Sequence, residues 1–297
     1  MPADIDPIRF DGQVAIVTGA GRGLGASYAL LLAQCGAIVI VHDAGVAPDG
    51  SGSDPGVADG VVHAIAQRGG RAVASYENLE SAAGCQNVVA TAIERFGRVD
   101  VLIHNAGLVV FAPIDEMDSG MWDRMINLGV HSSFHLVRSV VPHMKRQRYG
   151  RIVLTTSGRA MSLDSAAPGL SAYCMGKMAQ VGFMFSVAAE VQDFGIRVNA
   201  ISPVAATRVL RRNAPELLPE LVAPGVVFLA SSRCDTSGIV LQGVGGRFAA
   251  VRCHSSEGVD FGPIPVTPET VAERWLEVAA DGRSQRTERP EAGSAGS

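Results

Sequence analysis

Tyr173 and Lys177 stand four residues apart in Tyr173-Cys174-Met175-Gly176-Lys177, the spacing that puts two side chains on one face of a helix. A free phenol has a pKa near 10 and is a poor base at neutral pH. An ammonium ion one helical turn away favours the phenolate and lowers that pKa. Such a phenol can take the proton of a substrate hydroxyl, or return one to a carbonyl. The pattern alone is common, and its everyday meaning is a surface pair.

A second constellation supplies the partner for that chemistry. Thr18-Gly19-Ala20-Gly21-Arg22-Gly23-Leu24-Gly25 follows a strand-like run and opens a helix-like one. Glycines allow a tight turn and a close approach by a pyrophosphate, and the helix N-terminus offers free N–H groups and the positive end of its dipole. A lone glycine-rich triplet is weak evidence, but here a second strand follows and ends in Asp43. A carboxylate there accepts hydrogen bonds from the adenosine ribose hydroxyls and repels a 2′-phosphate. Arg22 argues the other way, since a basic residue in the loop can pair with that phosphate. The carboxylate costs more than a mobile arginine offsets, so NAD is expected, with NADP as the alternative.

The elements that must position these groups alternate from the start. Apolar strand-sized runs occupy Gln13–Thr18, Ala37–His42, Ala72–Tyr76, Val99–His104, Arg151–Thr156, Ile196–Ile201 and Ile239–Gln242. Helix-length stretches such as Leu24–Cys35, Val57–Arg68 and Gly84–Phe96 lie between them, with apolar residues three and four apart. The runs are apolar throughout, so both sheet faces are covered. The expected fold is α/β: a single doubly wound (Rossmann) parallel sheet of about seven strands with helices on both faces. One domain is expected over residues 1–280, with its core at about 10–245 and a short C-terminal extension over 246–280. Gly243–Pro265 reads as irregular, and one helix capped by Thr267 then carries Val271, Trp275 and Val278 on one face. Residues 281–297, rich in Arg, Glu, Gly and Ser, are expected to be a disordered tail.

Composition excludes several classes. Net charge is −4 and mean hydropathy +0.21, which leaves no basic field for nucleic acid or anionic lipid. No run approaches the roughly 20 apolar residues of a membrane span, and the N-terminus lacks the order of a signal peptide. Five scattered cysteines form no C-x-x-C pair and the histidines show no ligand spacing, so reduced thiols and no metal are expected. The expected setting is cytoplasmic.

Five ordered motifs give the chain a resemblance to the short-chain dehydrogenase/reductase family over roughly residues 10–245. T-G-x-x-x-G-x-G differs from the spacing of other dinucleotide folds; Asn105-Ala106-Gly107 ends the fourth strand; Ser157 ends the fifth; Tyr173 and Lys177 follow; Arg197-Val198-Asn199-Ala200-Ile201-Ser202-Pro203 resembles the segment ahead of the nicotinamide. The resemblance implies Ser157, Tyr173 and Lys177 as catalytic residues, with Ser157 on the substrate oxygen and Lys177 also on the nicotinamide ribose. It implies cofactor contacts at Gly19, Arg22, Gly23, Leu24, Gly25, Asp43, Asn105, Ala106, Gly107 and Pro203. Pairing through the long helices near 120–147 and 170–194, as a homodimer or homotetramer, is also implied.

Three further segments narrow the likeness: the long loop after Asp43, Ala74-Ser75-Tyr76-Glu77-Asn78-Leu79-Glu80, and Val266-Thr267-Pro268-Glu269-Thr270-Val271. They resemble the (3R)-hydroxyacyl-CoA dehydrogenase module of peroxisomal multifunctional enzymes of type 2 and its stand-alone bacterial relatives. That likeness puts Glu77 and Asn78 near the adenine and implies oxidation of a 3-hydroxyacyl-CoA, with an acyl-CoA or a steroid as substrate. Alternatives are a 17β-hydroxysteroid dehydrogenase and an NADPH-dependent reductase of 3-oxoacyl carrier-protein thioesters. A silent dinucleotide sensor is a further alternative, and retention of both Tyr173 and Lys177 weighs against it.

Two departures from the family pattern bear on the site. Ser157 and Tyr173 are sixteen residues apart, about three more than usual, so the Arg159–Leu170 loop is longer. Met161, Leu163 and Leu170 are expected to give it an apolar lining. The family's active-site asparagine aligns with Gly129, while Asn127 falls two residues early; a water held by backbone is a possible substitute.

Overall fold

A computed structural model describes residues 6–47, 51–206, 214–253 and 255–280. The expected tail, 281–297, lies outside them. Two compact units divide the chain at Val251 and Arg252.

In the larger unit, all seven apolar runs form strands: β1 (Val14–Thr18), β2 (Ile38–His42), β3 (Arg71–Ser75), β4 (Val101–His104), β5 (Gly150–Thr155), β6 (Ile196–Val204) and β7 (Val240–Val244). They are mutually parallel in the order β3-β2-β1-β4-β5-β6-β7. The reversal of direction on either side of β1 makes the sheet doubly wound and opens a crevice at the strands' C-terminal ends, where ligands of such sheets sit. An eighth strand, β8 (Arg247–Val251), pairs antiparallel with β7. The stretch expected to be irregular therefore begins with a hairpin. Its turn is Gly245-Gly246, with φ of 53° and 80°, the pair of positive angles a two-residue hairpin turn requires.

Side chains alternate across each strand, and the core divides accordingly. Ala15, Val17, Val39, Val41, Val101 and Ile103 face one way. They pack under α1 (Gly23–Gln34), α2 (Gly56–Gln67) and α7 (Ala223–Ala230). Val14, Ile16, Ile38, Ile40 and Leu102 face the other way, under α3 (Ala82–Phe96), α5 (Ser132–Gln147) and α6 (Ser171–Val191). A short α4 (Ser119–Ile126) is capped by Asp118, whose side chain accepts from Met121 N at 2.8 Å. It passes into α5 through one π-helical turn, Asn127–His131.

In the smaller unit, Thr267 caps a helix as expected, accepting from Thr270 N at 3.2 Å. The single expected helix is however two, α8 (Pro268–Glu273) and α9 (Trp275–Val278). Arg274, at φ −106° and ψ 14°, leaves helical geometry between them, so Val271 and Trp275 do not share one continuous helix face. Among the described residues no helix is long and apolar enough to cross a membrane.

Candidate active site

The glycine loop is built at the C-terminal end of β1. A Cβ on Gly25 would collide with the Gly19 carbonyl oxygen, and one on Gly19 would lie 2.9 Å from Ala106 Cα. Gly21 is hemmed in by Val57 and by Asp43, whose Oδ2 would lie 2.9 Å from an added Cβ. These glycines are therefore required by close approach, and the loop packs on Asn105-Ala106. Asn105 clamps it, its Nδ2 donating to the Thr18 and Gly19 carbonyls at 3.1 Å each. Thr18 Oγ1 accepts from the backbone N–H of Asn105 and of Ala106, both at 3.0 Å.

Helix α1 then opens at Gly23-Leu24-Gly25 with no capping side chain and no acidic residue in its first turn. Its first N–H groups are left to an outside acceptor, as a pyrophosphate requires. The donor set and the glycine contacts thus fit a dinucleotide. Asp43, just past β2, holds two backbone donors, Gly21 N on Oδ2 and Gly45 N on Oδ1, both at 2.9 Å. The carboxylate is fixed against the loop, while Arg22 is exposed. Glu77 and Asn78 follow β3; the Glu77 carbonyl contacts His42 Nε2 at 2.8 Å, and Asn78 Oδ1 accepts from Glu80 N at 2.9 Å.

Across the sheet's C-terminal end, α6 presents Tyr173 and Lys177. The Lys177 Nζ lies 5.7 Å from the Tyr173 ring centre. Lys177 is buried and donates to the Thr155 carbonyl at 2.7 Å. Burial pushes its pKa from 10.5 down to about 8. Thr156, just past the end of β5, anchors the same turn through Oγ1, which donates to the Lys177 carbonyl at 2.7 Å. Tyr173 departs from the expectation. Its pKa is raised, because burial outweighs the hydrogen bond from Ser157 and the charge of Arg159, which both lower it. Lys177 is not among the groups that hold the phenol down, because its ammonium is turned to the Thr155 carbonyl. The structure therefore brings Ser157, Tyr173 and Lys177 together, with Ser157 against the phenol and the lysine ammonium on the Thr155 carbonyl.

A small pocket of about 10 Å³ lies among Gly107, Leu108, Met125, Leu128, Gly129, Tyr173, Gly176 and Lys177, room for about one water molecule. Gly129, the position expected to align with the family's asparagine, sits in the π-helical turn against Gly176. Its carbonyl already accepts from Gln180 Nε2 at 2.9 Å and Ser133 Oγ at 3.1 Å, so both lone pairs are taken. Asn127 opens that turn and does not line the pocket. The loop after Ser157 forms two short turns, Gly158–Ala160 and Leu163–Ser165. Of its expected apolar lining only Leu163 stands free, 90 % exposed. Leu170 is buried, and Met161 packs on the core. Pro203 lies inside β6, paired in register with Gly243.

The family profile of short chain dehydrogenases matches residues 13–216. The chain is a short-chain dehydrogenase/reductase. A short-chain type dehydrogenase/reductase of Mycobacterium tuberculosis is 36 % identical over 271 residues, covering 90 % of this chain and 93 % of the relative. The peroxisomal multifunctional enzyme type 2 of Mus musculus is 36 % identical over 279 residues, 92 % of this chain but 37 % of that enzyme. Among solved structures, a short-chain dehydrogenase from Mycobacterium avium superposes with a TM-score of 0.79 at 31 % identity, covering 90 % of this chain and 94 % of its own. Similar solved dehydrogenases hold NADH or NAD in some cases and NADP in others. Like its family, this dehydrogenase is an oxidoreductase of CH–OH groups that takes NAD or NADP and small-molecule substrates.

Sequence reasoning missed the Thr155 carbonyl and the Thr18 hydroxyl. Thr18 stood inside the quoted loop motif. The carbonyl had no signal, because a backbone atom belongs to no residue type.

Proposed function

We propose that this dehydrogenase uses NAD to oxidise a (3R)-3-hydroxyacyl-CoA to its 3-oxoacyl-CoA, reversibly. The observation that carries the chemistry is the junction of Ser157, Tyr173 and Lys177 beside the glycine loop. NAD, when bound, supplies the hydride acceptor. Ser157 and Tyr173 hold the substrate oxygen between two hydroxyls. Tyr173 receives the hydroxyl proton as the carbonyl forms, and Lys177 and the Asn105-Ala106-Gly107 segment border the nicotinamide ribose. Burial of Tyr173 raises its pKa, so the free enzyme keeps the phenol protonated. That state suits protonation of a ketone, and a high pH favours the oxidative direction.

Asp43 supports NAD over NADP. Its carboxylate is tied to Gly21 and Gly45, so it cannot swing away from a 2′-phosphate. The acyl-CoA substrate rests on similarity across nine-tenths of the chain to the multifunctional enzymes and on the sequence segments that resemble their dehydrogenase module. The long Arg159–Leu170 loop with its free Leu163 suits a bulky apolar substrate. Offering 3R and 3S hydroxyacyl-CoA thioesters of several lengths, beside free steroids and short alcohols, tests the assignment through NADH absorbance. Preference for the 3S epimer, or turnover confined to short alcohols, defeats it.

A further inference from the structure

His104 ends β4 immediately before Asn105 and is fully buried, as are Thr18 and Ser132 on either side of it. Thr18 Oγ1 lies 2.9 Å from His104 Nδ1, and Ser132 Oγ lies 2.9 Å from His104 Nε2. The direction of each bond follows from counting protons. The Thr18 hydroxyl already accepts two backbone N–H groups, which uses both lone pairs. Its one proton therefore points at Nδ1. Ser132 Oγ donates its own single proton to the Leu128 carbonyl at 2.6 Å, so it can only accept from Nε2. Both ends give the same answer: a neutral imidazole with its proton on Nε2. A charged ring would leave Thr18 with a third donor and no acceptor. Burial, with Lys177 and His42 nearby, accordingly pushes the His104 pKa down to about 3.

The chain of hydrogen bonds thus runs without a gap from the dinucleotide loop, through Thr18, His104 and Ser132, to Leu128. Leu128 lies in the π-helical turn and lines the pocket shared by Tyr173 and Lys177. Neither histidine spacing nor strand periodicity assigned His104 any part. We propose that His104 is a positioning residue which, as the Nε2–H tautomer, holds the π-helical turn in place beside the proton-transfer pocket. It acts through Ser132 on the Leu128 carbonyl and touches neither substrate nor cofactor. The inference rests on the reading of Tyr173 as the proton-transfer group.

The test cuts the same bond from its two ends. His104→Asn keeps an acceptor for Thr18 but is too short for Ser132, and Ser132→Ala removes the partner hydroxyl. Each should lower kcat roughly tenfold, as a small misplacement of reacting groups does, with KM for NAD changed less than about twofold. The double variant should be no slower than the slower single one, because the bond can be lost only once. Nitrogen NMR of the wild-type ring should show an Nε2 proton and no titration between about pH 5 and 8. Unchanged kcat in Ser132→Ala, multiplying effects in the double variant, or titration near the ordinary value overturns the proposal. If His104→Asn fails to fold, Ser132→Ala and the NMR measurement decide it. Turnover retained by Tyr173→Phe sinks the proton-transfer reading instead, which is a separate result.

Discussion

Replacing Lys177 by methionine should stop catalysis and yet change stability in a pH-dependent way whose size the structure sets. Lys177 falls from 10.5 to about 8 because it is buried, and its ammonium donates to the Thr155 carbonyl. A folded-state pKa below the unfolded value means that the unfolded chain binds more protons between those two values. Stability therefore rises with pH across that window. At pH 7 the shift of 2.5 units costs the wild type about 3 kcal/mol relative to an unshifted lysine. At pH 10 less than about 1 kcal/mol of the cost remains. Lys177→Met has no such proton to lose. Wild type should thus gain about 2.5 kcal/mol on the variant between pH 7 and pH 10. Urea unfolding of both proteins at 25 °C, at several pH values, measures this difference directly and cancels every other group that titrates. Parallel stability curves would show that Lys177 keeps an ordinary pKa in the fold, and the burial argument would fail.

Tyr173→Phe should bind NADH almost as well as wild type, followed by fluorescence, while turnover is lost, since the ring still packs but has no proton to exchange. Asp43→Ala should lose most of the NAD preference in kcat/KM, because Gly21 and Gly45 lose their acceptor and the phosphate-repelling charge goes with it; a wild type faster on NADP contradicts the role given to Asp43.

The central parallel strands β1, β2, β4 and β5 were legible because each holds a continuous, fully buried apolar run. A strand buried on both faces has no solvent side to mark with polar residues. β8 was not legible for the complementary reason. Arg247-Phe248-Ala249-Ala250-Val251 is a partly exposed edge strand whose apolar run is only four residues long, two of them alanine, and its hairpin turn, Gly245-Gly246, was submerged in a generally glycine-rich stretch. The break at Arg274 was missed because helical spacing of Val271, Trp275 and Val278 survives a local change of backbone angle. In the site, residue spacing revealed the tyrosine, lysine and glycine loop. It did not reveal which way the lysine points, since the deciding atom is a carbonyl on another strand. Leu170 read as pocket lining from its apolar type, whereas its position at the start of α6 buries it in the core. His104 carried no signal of its own, since a single histidine at a strand end looks the same whether or not its two nitrogens are committed.

The contact between Gly129 and Gly176 leaves this active site open to repair. A Cβ added to Gly129 would meet Gly176 Cα at 3.6 Å, and one added to Gly176 would meet Gly129 Cα at 3.7 Å, so neither glycine is enforced by crowding. The backbones cross at a distance that already accommodates a side chain's first atom, with the small pocket beyond it. An engineered asparagine at position 129 would start from ordinary van der Waals contact at its Cβ. Its carboxamide would then have to enter a pocket with room for about one water molecule.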